Sequence, residues 1–428
     1  MLLIRDFYRM EEGGAGMDAN KDRVEARGEG VTRRRFIKAV GLGSAAAGLA
    51  AVAVAGNAAG TGSESTKKKP GTESGKKRLK LTVGFSENPR VAPLREGIVK
   101  PQNIELEIVT VSPGTLFYRN LSSGPEFDVS EMSISETLLA KERSEAFGKG
   151  RWDWTPIPVF LSRGLFWAAL YVNTSSGIEH LRDLKGKKIG VPDYCMTAAL
   201  WFKITLKDLY GIEAKDNAWY NGRTKQLSHG GALGLDVQGQ GVDKGVTHRW
   251  LTVDQTLDVM LDRGELDAIF PPSPAGGVTA GRSDVIDRYG GTPMVNNPRV
   301  RRLLNDEGKG AIYEFFRKTG CHQPNHHVII KNSVLREHPW VAMELYNAFQ
   351  QSKEIAYERA RKARSTYLYF EESDWKEQQA VFGEDPYPLG IKAMRKTVER
   401  AVKGSLEQGL IRKPIKVEDL YFRTTLDT

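Results

Sequence analysis

Cysteine is scarce in this chain, whose 428 residues include only Cys195 and Cys321. At most one bridge can form between them outside the cytoplasm, so no disulfide framework holds the fold together. Gly-rich phosphate loops, flavin fingerprints and Ser-x-x-Lys motifs are also missing, which leaves nucleotide and acyl-enzyme chemistry without support. We therefore expect no cofactor.

Positive and negative residues nearly balance over most of the chain. The formal net charge is +9, but residues 1–78 hold 15 Lys or Arg against 9 Asp or Glu, and the remainder holds 47 against 44. The basic excess thus lies near the N-terminus rather than on a folded surface. Nucleic acid is not expected as a partner.

The N-terminal region carries an export pattern. Thr32 to Lys38 reads Thr-Arg-Arg-Arg-Phe-Ile-Lys, and a run of small and apolar residues follows from Ala39 to Ala55. This order predicts a twin-arginine signal peptide over 1–55, export of the folded chain by the Tat translocase, and a periplasmic or extracellular location. Retention as a membrane anchor is the alternative, although Ala and Gly dominate the run and it is short of about 20 strongly apolar residues.

The rest of the chain alternates between strand and helix patterns. Residues 56–78 predict a flexible linker because they contain almost nothing apolar after position 60. After that, apolar strands alternate with helices, such as the one predicted over Thr197 to Tyr210 with Gly211 as its stop. We predict an α/β fold in which 79–168 and 271–428 form lobe 1 and 169–270 form lobe 2, each a mixed, mostly parallel sheet with its own core.

Several sequence blocks resemble the 4,5-dihydroxyphthalate decarboxylase family, which itself resembles solute-binding proteins. The main blocks are Phe127 to Ser133, Ile157 to Arg163, Asp183 to Pro192, Met196 to Ala199, Phe382 to Asp385 and Glu407 to Leu410. The resemblance covers nearly all of 79–422 and implies the two-lobed type 2 periplasmic-binding-protein fold, with a ligand cleft between the lobes. Phe166-Trp167 replaces an Arg-His pair of the family pattern, Lys203 replaces an Arg, and Met394 replaces an Asn.

Three residues are candidates for catalysis, should the chain be an enzyme. Glu131 follows an apolar strand, where it can act as a general acid or bind a ring hydroxyl, or else simply interact with a helix dipole. Arg163 can clamp a carboxylate or form an ordinary salt bridge. His326 can be an acid, a base, a ligand contact or a structural histidine.

Other candidates belong to the predicted ligand cleft. Thr197 begins a predicted helix, where its hydroxyl and the free N–H groups can receive an anion or serve as a plain cap. Trp167 is predicted to face the cleft and Trp201 the core. The complete predicted binding set is Glu87, Arg90, Glu131, Met132, Ser133, Arg163, Trp167, Thr197, Ala198 and His326. An alternative role for this region is a metal site, formed by Cys321, His322, His326 and His327. The spacing of these residues fits no standard zinc pattern, so no metal is expected.

Two functions remain open from the sequence. The first is an exported solute-binding protein that captures a small carboxylated, aromatic solute for an ABC transporter permease. The second is a decarboxylase that releases carbon dioxide from an aromatic carboxylate. Export, the lost Arg-His pair and the lack of a visible acid/base cluster favour binding, whereas the family resemblance favours the enzyme.

Overall fold

The computed structural model describes residues 78–147, 150–235, 244–271, 286–367 and 371–428. These residues belong to one compact unit, Lys76–Thr428. The predicted signal peptide and all but the last residue of the predicted linker lie outside them. Within the described ranges, no helix is both long and apolar enough to cross a membrane.

Strands and helices alternate along the described chain. The strands are β1 (Leu79–Phe85), β2 (Ile104–Thr110), β3 (Val129–Ser133), β4 (Trp154–Ser162), β5 (Tyr171–Asn173), β6 (Lys188–Val191), β7 (Ala218–Asn221), β8 (Thr247–Trp250), β9 (Ala268–Ile269), β10 (Val300–Arg302) and β11 (His326–Lys331). The helices are α1 (Ala92–Arg95), α2 (Pro113–Ser123), α3 (Ile134–Phe147), α4 (Thr197–Tyr210), α5 (His229–Ala232), α6 (Leu257–Asp262), α7 (Lys309–Thr319), α8 (Asn332–Glu337), α9 (Val341–Tyr367), α10 (Glu371–Phe382), α11 (Ile391–Glu407) and α12 (Val417–Leu420). Short 3₁₀ helices cover Phe166–Ala169, Leu181–Leu184, Ala214–Asp216 and Arg423–Thr425.

The first sheet has the strand order β2-β1-β3-β11-β4. Strand β1 runs parallel to β2 and β3, whereas β11 is antiparallel to both of its neighbours, β3 and β4. The carboxyl ends of β1, β3 and β4 therefore share one edge of the sheet with the amino end of β11. Side chains from residues distant in sequence meet at this edge.

The second sheet has the order β10-β5-β9-β6-β7-β8. Its strands β9, β6, β7 and β8 are parallel, while β5 is antiparallel to β9 and to β10. Because Val300–Arg302 pairs with Tyr171–Asn173, the chain is still in the second sheet well beyond residue 271, where a return to lobe 1 is predicted. The return is made later, through α7 to β11. Two mixed sheets flanked by helices confirm the predicted α/β fold class.

Helix α4 joins the cores of the two sheets. Its bounds are those predicted, and it ends at Gly211, whose φ of 70° places it in the left-handed region. All of its residues from Thr197 to Leu206 are buried. The apolar cluster around it includes Met132 of the first sheet and Ile189 of the second. Each sheet also has a smaller apolar cluster of its own, as predicted from the sequence, with Val83 and Val328 in the first and Leu261 and Ile269 in the second. The largest cluster, however, is shared by the two sheets.

Buried histidine marks the interior of the first sheet. His327 on β11 is fully buried between Thr137, whose hydroxyl lies 2.9 Å from Nε2, and Tyr421, whose hydroxyl lies 3.2 Å from Nδ1. Burial, with a smaller contribution from the charge of His326, lowers the pKa of His327 to about 3. The folded protein thus keeps this ring neutral under conditions that would charge it in the unfolded chain.

Stability should fall as the pH drops below 6.5, the ordinary histidine value, towards 3, because the unfolded chain binds a proton at His327 that the folded chain does not. In His327→Gln this part of the pH dependence should vanish, at a cost of about 1–3 kcal/mol near pH 7.5 from disturbed buried hydrogen bonds. Urea unfolding between pH 7.5 and 5 measures both effects. His180 is exposed, and His180→Gln is the control, whose pH dependence should follow that of the wild type. If the free energy of unfolding changed with pH in the same way in the wild type and in His327→Gln, the account would be contradicted.

Candidate active site

A carboxylate and an imidazole meet at the carboxyl edge of the first sheet. Glu131 of β3 and His326 of β11 are 195 residues apart, yet Oε1 of the glutamate lies 2.6 Å from Nδ1 of the histidine. The antiparallel pairing of β3 with β11 produces this contact, because Ser133 lies opposite His326 and Glu131 is two residues earlier on the same face. The structure thus brings together two of the three predicted catalytic residues.

Glu131 is held as a buried carboxylate. Its side chain is 1% exposed, and its second oxygen accepts hydrogen bonds from the backbone N–H of Ser86 at 2.8 Å and from the Ser86 hydroxyl at 2.5 Å. Burial acts to raise the pKa of Glu131, but the charge of His326 and the hydrogen bonds from His326 and Ser86 outweigh it and lower the pKa below its usual value. An ionised Glu131 can only accept, so Nδ1 of His326 carries the proton between them.

His326 presents its other nitrogen towards the edge of the sheet. Its side chain is 15% exposed, and the ring packs edge-to-face on Phe117 of α2, with centroids 4.8 Å apart. Among the described residues no hydrogen bond is made by Nε2. The carboxylate behind the ring and the phenyl ring beside it fix the orientation of the imidazole, which is the arrangement expected of a general acid or base.

The two lobes touch directly beside this pair. The hydroxyls of Ser133 and Thr197 are 2.8 Å apart, and Thr197 also accepts the N–H of Ser135 at 3.0 Å. Thr197 is the first residue of α4, and its hydroxyl is engaged with lobe 1 in this structure. Met132 and Ala198 are buried in the shared core. Ligand contacts at these three residues stay predictions.

The two predicted arginines stack on one aromatic ring instead of opening to a cleft. The guanidinium carbons of Arg90 and Arg163 lie 3.9 and 4.3 Å from the ring centroid of Tyr387. Arg163 donates to the carbonyl of Pro386, and Arg90 donates to the carbonyl of Leu161. Burial lowers the pKa of Arg163 to about 10. Nη1 of Arg163 is engaged by a carbonyl, while its Nε is buried without a hydrogen-bond partner, so the carboxylate clamp at Arg163 stays a prediction.

Two further residues of the predicted binding set differ widely in burial. Trp167 is fully buried, stacks on Phe202 and donates from its indole N–H to Gln323, so it is a core residue like Trp201. The side chain of Glu87 is 71% exposed and pairs with Arg95 at the surface. Phe166, next to Trp167, is instead the partly exposed ring, and it lies nearly parallel to Phe270 of the second lobe at 6.3 Å.

The metal and disulfide alternatives find no geometric support. Cys195 and Cys321 are both free and buried. Within the described ranges, no three His, Cys, Asp or Glu side chains are grouped as metal ligands would be. His326 and His327 are neighbours on a strand and point to opposite faces, one to Glu131 and the other to Thr137 and Tyr421.

A second polar cluster, missed by the sequence analysis, lies between the lobes. His229 of α5 places Nδ1 2.7 Å from Glu136 of α3 and Nε2 2.9 Å from the carbonyl of Gly114. Asp193, which follows β6, accepts from the backbone of His229, and Arg223, which follows β7, pairs with Asp287 at 2.8 Å. A sequence signal is present, because Asp193 and Arg223 each come after a strand, β6 and β7. The same position was predicted for Glu131, which the structure instead places within β3.

The hydroxyl pair between the lobes should be measurable by a double-mutant cycle. Ser133→Ala and Thr197→Val each remove one partner of a buried hydrogen bond. The double variant should lose less free energy of unfolding than the two single variants together, by about 0.5–1.5 kcal/mol. Chemical denaturation of the four proteins gives this coupling energy. Strictly additive effects would mean that the two lobes do not make this contact in solution.

Comparison with known proteins confirms the resemblance to the decarboxylase family. A 4,5-dihydroxyphthalate decarboxylase of Comamonas testosteroni is 24% identical over 353 residues, which cover 82% of this chain and 98% of the relative. A second one, of Pseudomonas putida, is 28% identical over 240 residues, covering 56% of this chain and 82% of the relative. No family model matches. Among solved structures, the periplasmic aliphatic sulphonate binding protein SsuA of Escherichia coli aligns with 82% of this chain and 99% of its own, at 12% identity and a TM-score of 0.43.

Proposed function

We propose that this chain is a carboxy-lyase that releases carbon dioxide from an aromatic carboxylate. The observation that carries the proposal is the Glu131–His326 pair, an oriented imidazole 2.6 Å from a buried carboxylate. The sequence alone favours a binding protein, partly because no compact acid/base cluster is visible along the chain. The pairing of β3 with β11 supplies that cluster, and curated relatives over most of the chain are named as decarboxylases.

His326 would act as the acid that replaces the departing carboxylate with a proton. Glu131 stabilises the imidazolium through Nδ1, so that Nε2 can donate its proton to the ring carbon that bears the carboxylate. The bond between that carbon and the carboxylate then breaks, its electron pair restores the aromatic ring, and carbon dioxide leaves. A ring hydroxyl opposite this carbon would supply electron density, and water returns the proton to His326.

The aromatic side chains around the pair suit a flat substrate. Phe117 packs against His326, and the nearly parallel rings of Phe166 and Phe270 come from different lobes. Aromatic rings bind one another through offset or edge contacts worth about 0.5–1.5 kcal/mol beyond the area that they bury. They also keep water from a site in which a developing charge must be stabilised.

Incubation with 4,5-dihydroxyphthalate should release carbon dioxide and one equivalent of the monocarboxylate. Both His326→Gln and Glu131→Gln should lower kcat by about 10²–10⁴, because they remove the acid or its orienting charge. Carbon dioxide release and product chromatography, combined with a melting curve for each variant, provide the measurement. His180→Gln and Glu107→Gln, at exposed positions, are the matched controls and should keep full activity.

A solute-binding protein is the second candidate, favoured by the twin-arginine pattern at Thr32 to Lys38 together with the two-lobed fold. In that case the chain, exported by the Tat translocase, would capture a small carboxylated solute in the periplasm and deliver it to an ABC permease. A ligand that raises the melting temperature without any release of carbon dioxide would favour this function over catalysis.

Export can be tested separately from activity. In a bacterial host with the Tat pathway, the chain should accumulate outside the cytoplasm, and replacement of both Arg33 and Arg34 by Lys should retain it inside, since the translocase reads the arginine pair. Arg35→Lys leaves that pair intact and is the control. Cell fractionation with immunoblotting is the readout, and equal export of the double variant would exclude a twin-arginine signal.

A further inference from the structure

Arg223 holds a guanidinium that is almost entirely buried between the lobes. Its side chain is 6% exposed, and Nε donates to Asp287 at 2.8 Å. Nη1 is buried, lies 3.7 Å from Asp193 and makes no hydrogen bond. Burial alone would lower the pKa of Arg223, but Asp287 and Asp193 raise it, so the group is permanently charged. A buried guanidinium with an unused N–H group still has capacity to bind an anion.

The start of helix α2 lies against this guanidinium. A Cβ placed on Gly114 would be 3.3 Å from Nη2 of Arg223 and 3.1 Å from Oδ2 of Asp287. The helix is 11 residues long, begins with Pro113, and receives no hydrogen bond from the side chain of its cap, Ser112. The positive end of its dipole therefore lies close to Arg223 and Asp287, while none of its first N–H groups donates to Asp287 among the described residues. Glycine at 114 is what permits this close approach.

Asp287 occupies the place that these groups create. One carboxylate oxygen is bonded to Arg223 and the other faces Gly114, while 26% of the side chain remains exposed. A cavity of ≈ 30 Å³, room for about one water molecule, adjoins the pair and is lined by Pro192, Leu257, Phe270 and Arg288 among others. A carboxylate that is bound to a buried arginine yet reaches solvent can be exchanged for another.

We propose that Arg223 and the N-terminus of α2 form a carboxylate subsite, which Asp287 fills in this structure and which a carboxylate of the ligand fills instead when it binds. The proposal rests on the proposed function and assigns the residues that hold the carboxylate which the substrate keeps. Exchange of one carboxylate for another at Arg223 leaves the charge beside the guanidinium unchanged.

Phe117 relates this subsite to the Glu131–His326 pair. It lies one turn after Gly114 on α2, and its ring packs against both histidines, with centroids 6.1 Å from His229 and 4.8 Å from His326. In the proposed binding mode a ligand ring enters beside Phe117, which is 3% exposed before binding, with one carboxylate at Arg223 and an adjacent carbon near His326. The carboxylate at Arg223 is then the one retained, and the other is the one lost.

The test is calorimetric binding of phthalate, which has two carboxylates and lacks the ring hydroxyls. Asp287→Asn removes the carboxylate that competes with phthalate. It should lower the Kd for phthalate about 10-fold, because Asp287 no longer occupies the subsite. Arg223→Gln should raise Kd at least 10-fold in both the wild-type and the Asp287→Asn background. Asp262→Asn, which breaks a different Arg–Asp pair, with Arg299, is the control and should leave Kd unchanged.

The Asp287→Asn variant could be folded, as judged from its melting curve, and yet bind phthalate with an unchanged or higher Kd. That result would overturn the subsite and leave Arg223–Asp287 as an ordinary salt bridge. If the Asp287→Asn variant does not fold, the Asp287→Ser variant provides the same comparison. Tighter binding of phthalate by Asp287→Asn supports the subsite even if 4,5-dihydroxyphthalate releases no carbon dioxide. The subsite and the decarboxylase activity can thus fail independently.

Discussion

The insertion of β11 between β3 and β4 is the constraint on which the candidate active site depends. The strand returns from the second lobe and pairs antiparallel with both neighbours, so its amino end arrives at the edge where β3 and β4 finish. Glu131 and His326 meet only for this reason. The same strand buries His327 on the opposite face, so one short segment contributes both to the proposed chemistry and to the interior of lobe 1.

Contacts between the lobes extend this arrangement. Helix α4 lies within a core shared by the two sheets, and Thr197 at its start is bonded to Ser133, two residues beyond Glu131. The pairs His229–Glu136 and His229–Gly114 also join the lobes. Access for a ligand therefore requires that some polar contacts between the lobes be exchanged for contacts with the ligand. The pair of buried Arg223 and partly exposed Asp287 is well suited to such an exchange.

Local sequence patterns predicted the secondary structure well, because those patterns depend on nearby residues. Thr197 to Tyr210 has helical apolar spacing and a glycine after it, and the observed helix has these bounds. The return to lobe 1 was placed too early because β10, a strand of three residues, gives almost no periodic signal.

The candidate site was predicted less completely. The apolar strand pattern beside Glu131 indicates that this residue lies near the edge of the sheet, although the structure places it within β3 rather than after the strand. Such a pattern does not indicate whether a side chain points to solvent, to the core or to a distant ring. Arg163 is therefore at the expected edge but lies on Tyr387, more than 200 residues later, and Trp167 is in the core. Arg223 and Asp287 carry no motif that would pair them.

The most direct measurement is a crystal structure of the inactive His326→Gln variant with 4,5-dihydroxyphthalate. The account predicts one carboxylate on Arg223 in place of Asp287, and the carbon that bears the other within about 3.5 Å of the amide that replaces the imidazole, as a near-attack geometry requires. A ligand bound elsewhere, or bound with both carboxylates remote from position 326, would contradict the assignment of His326 as the acid.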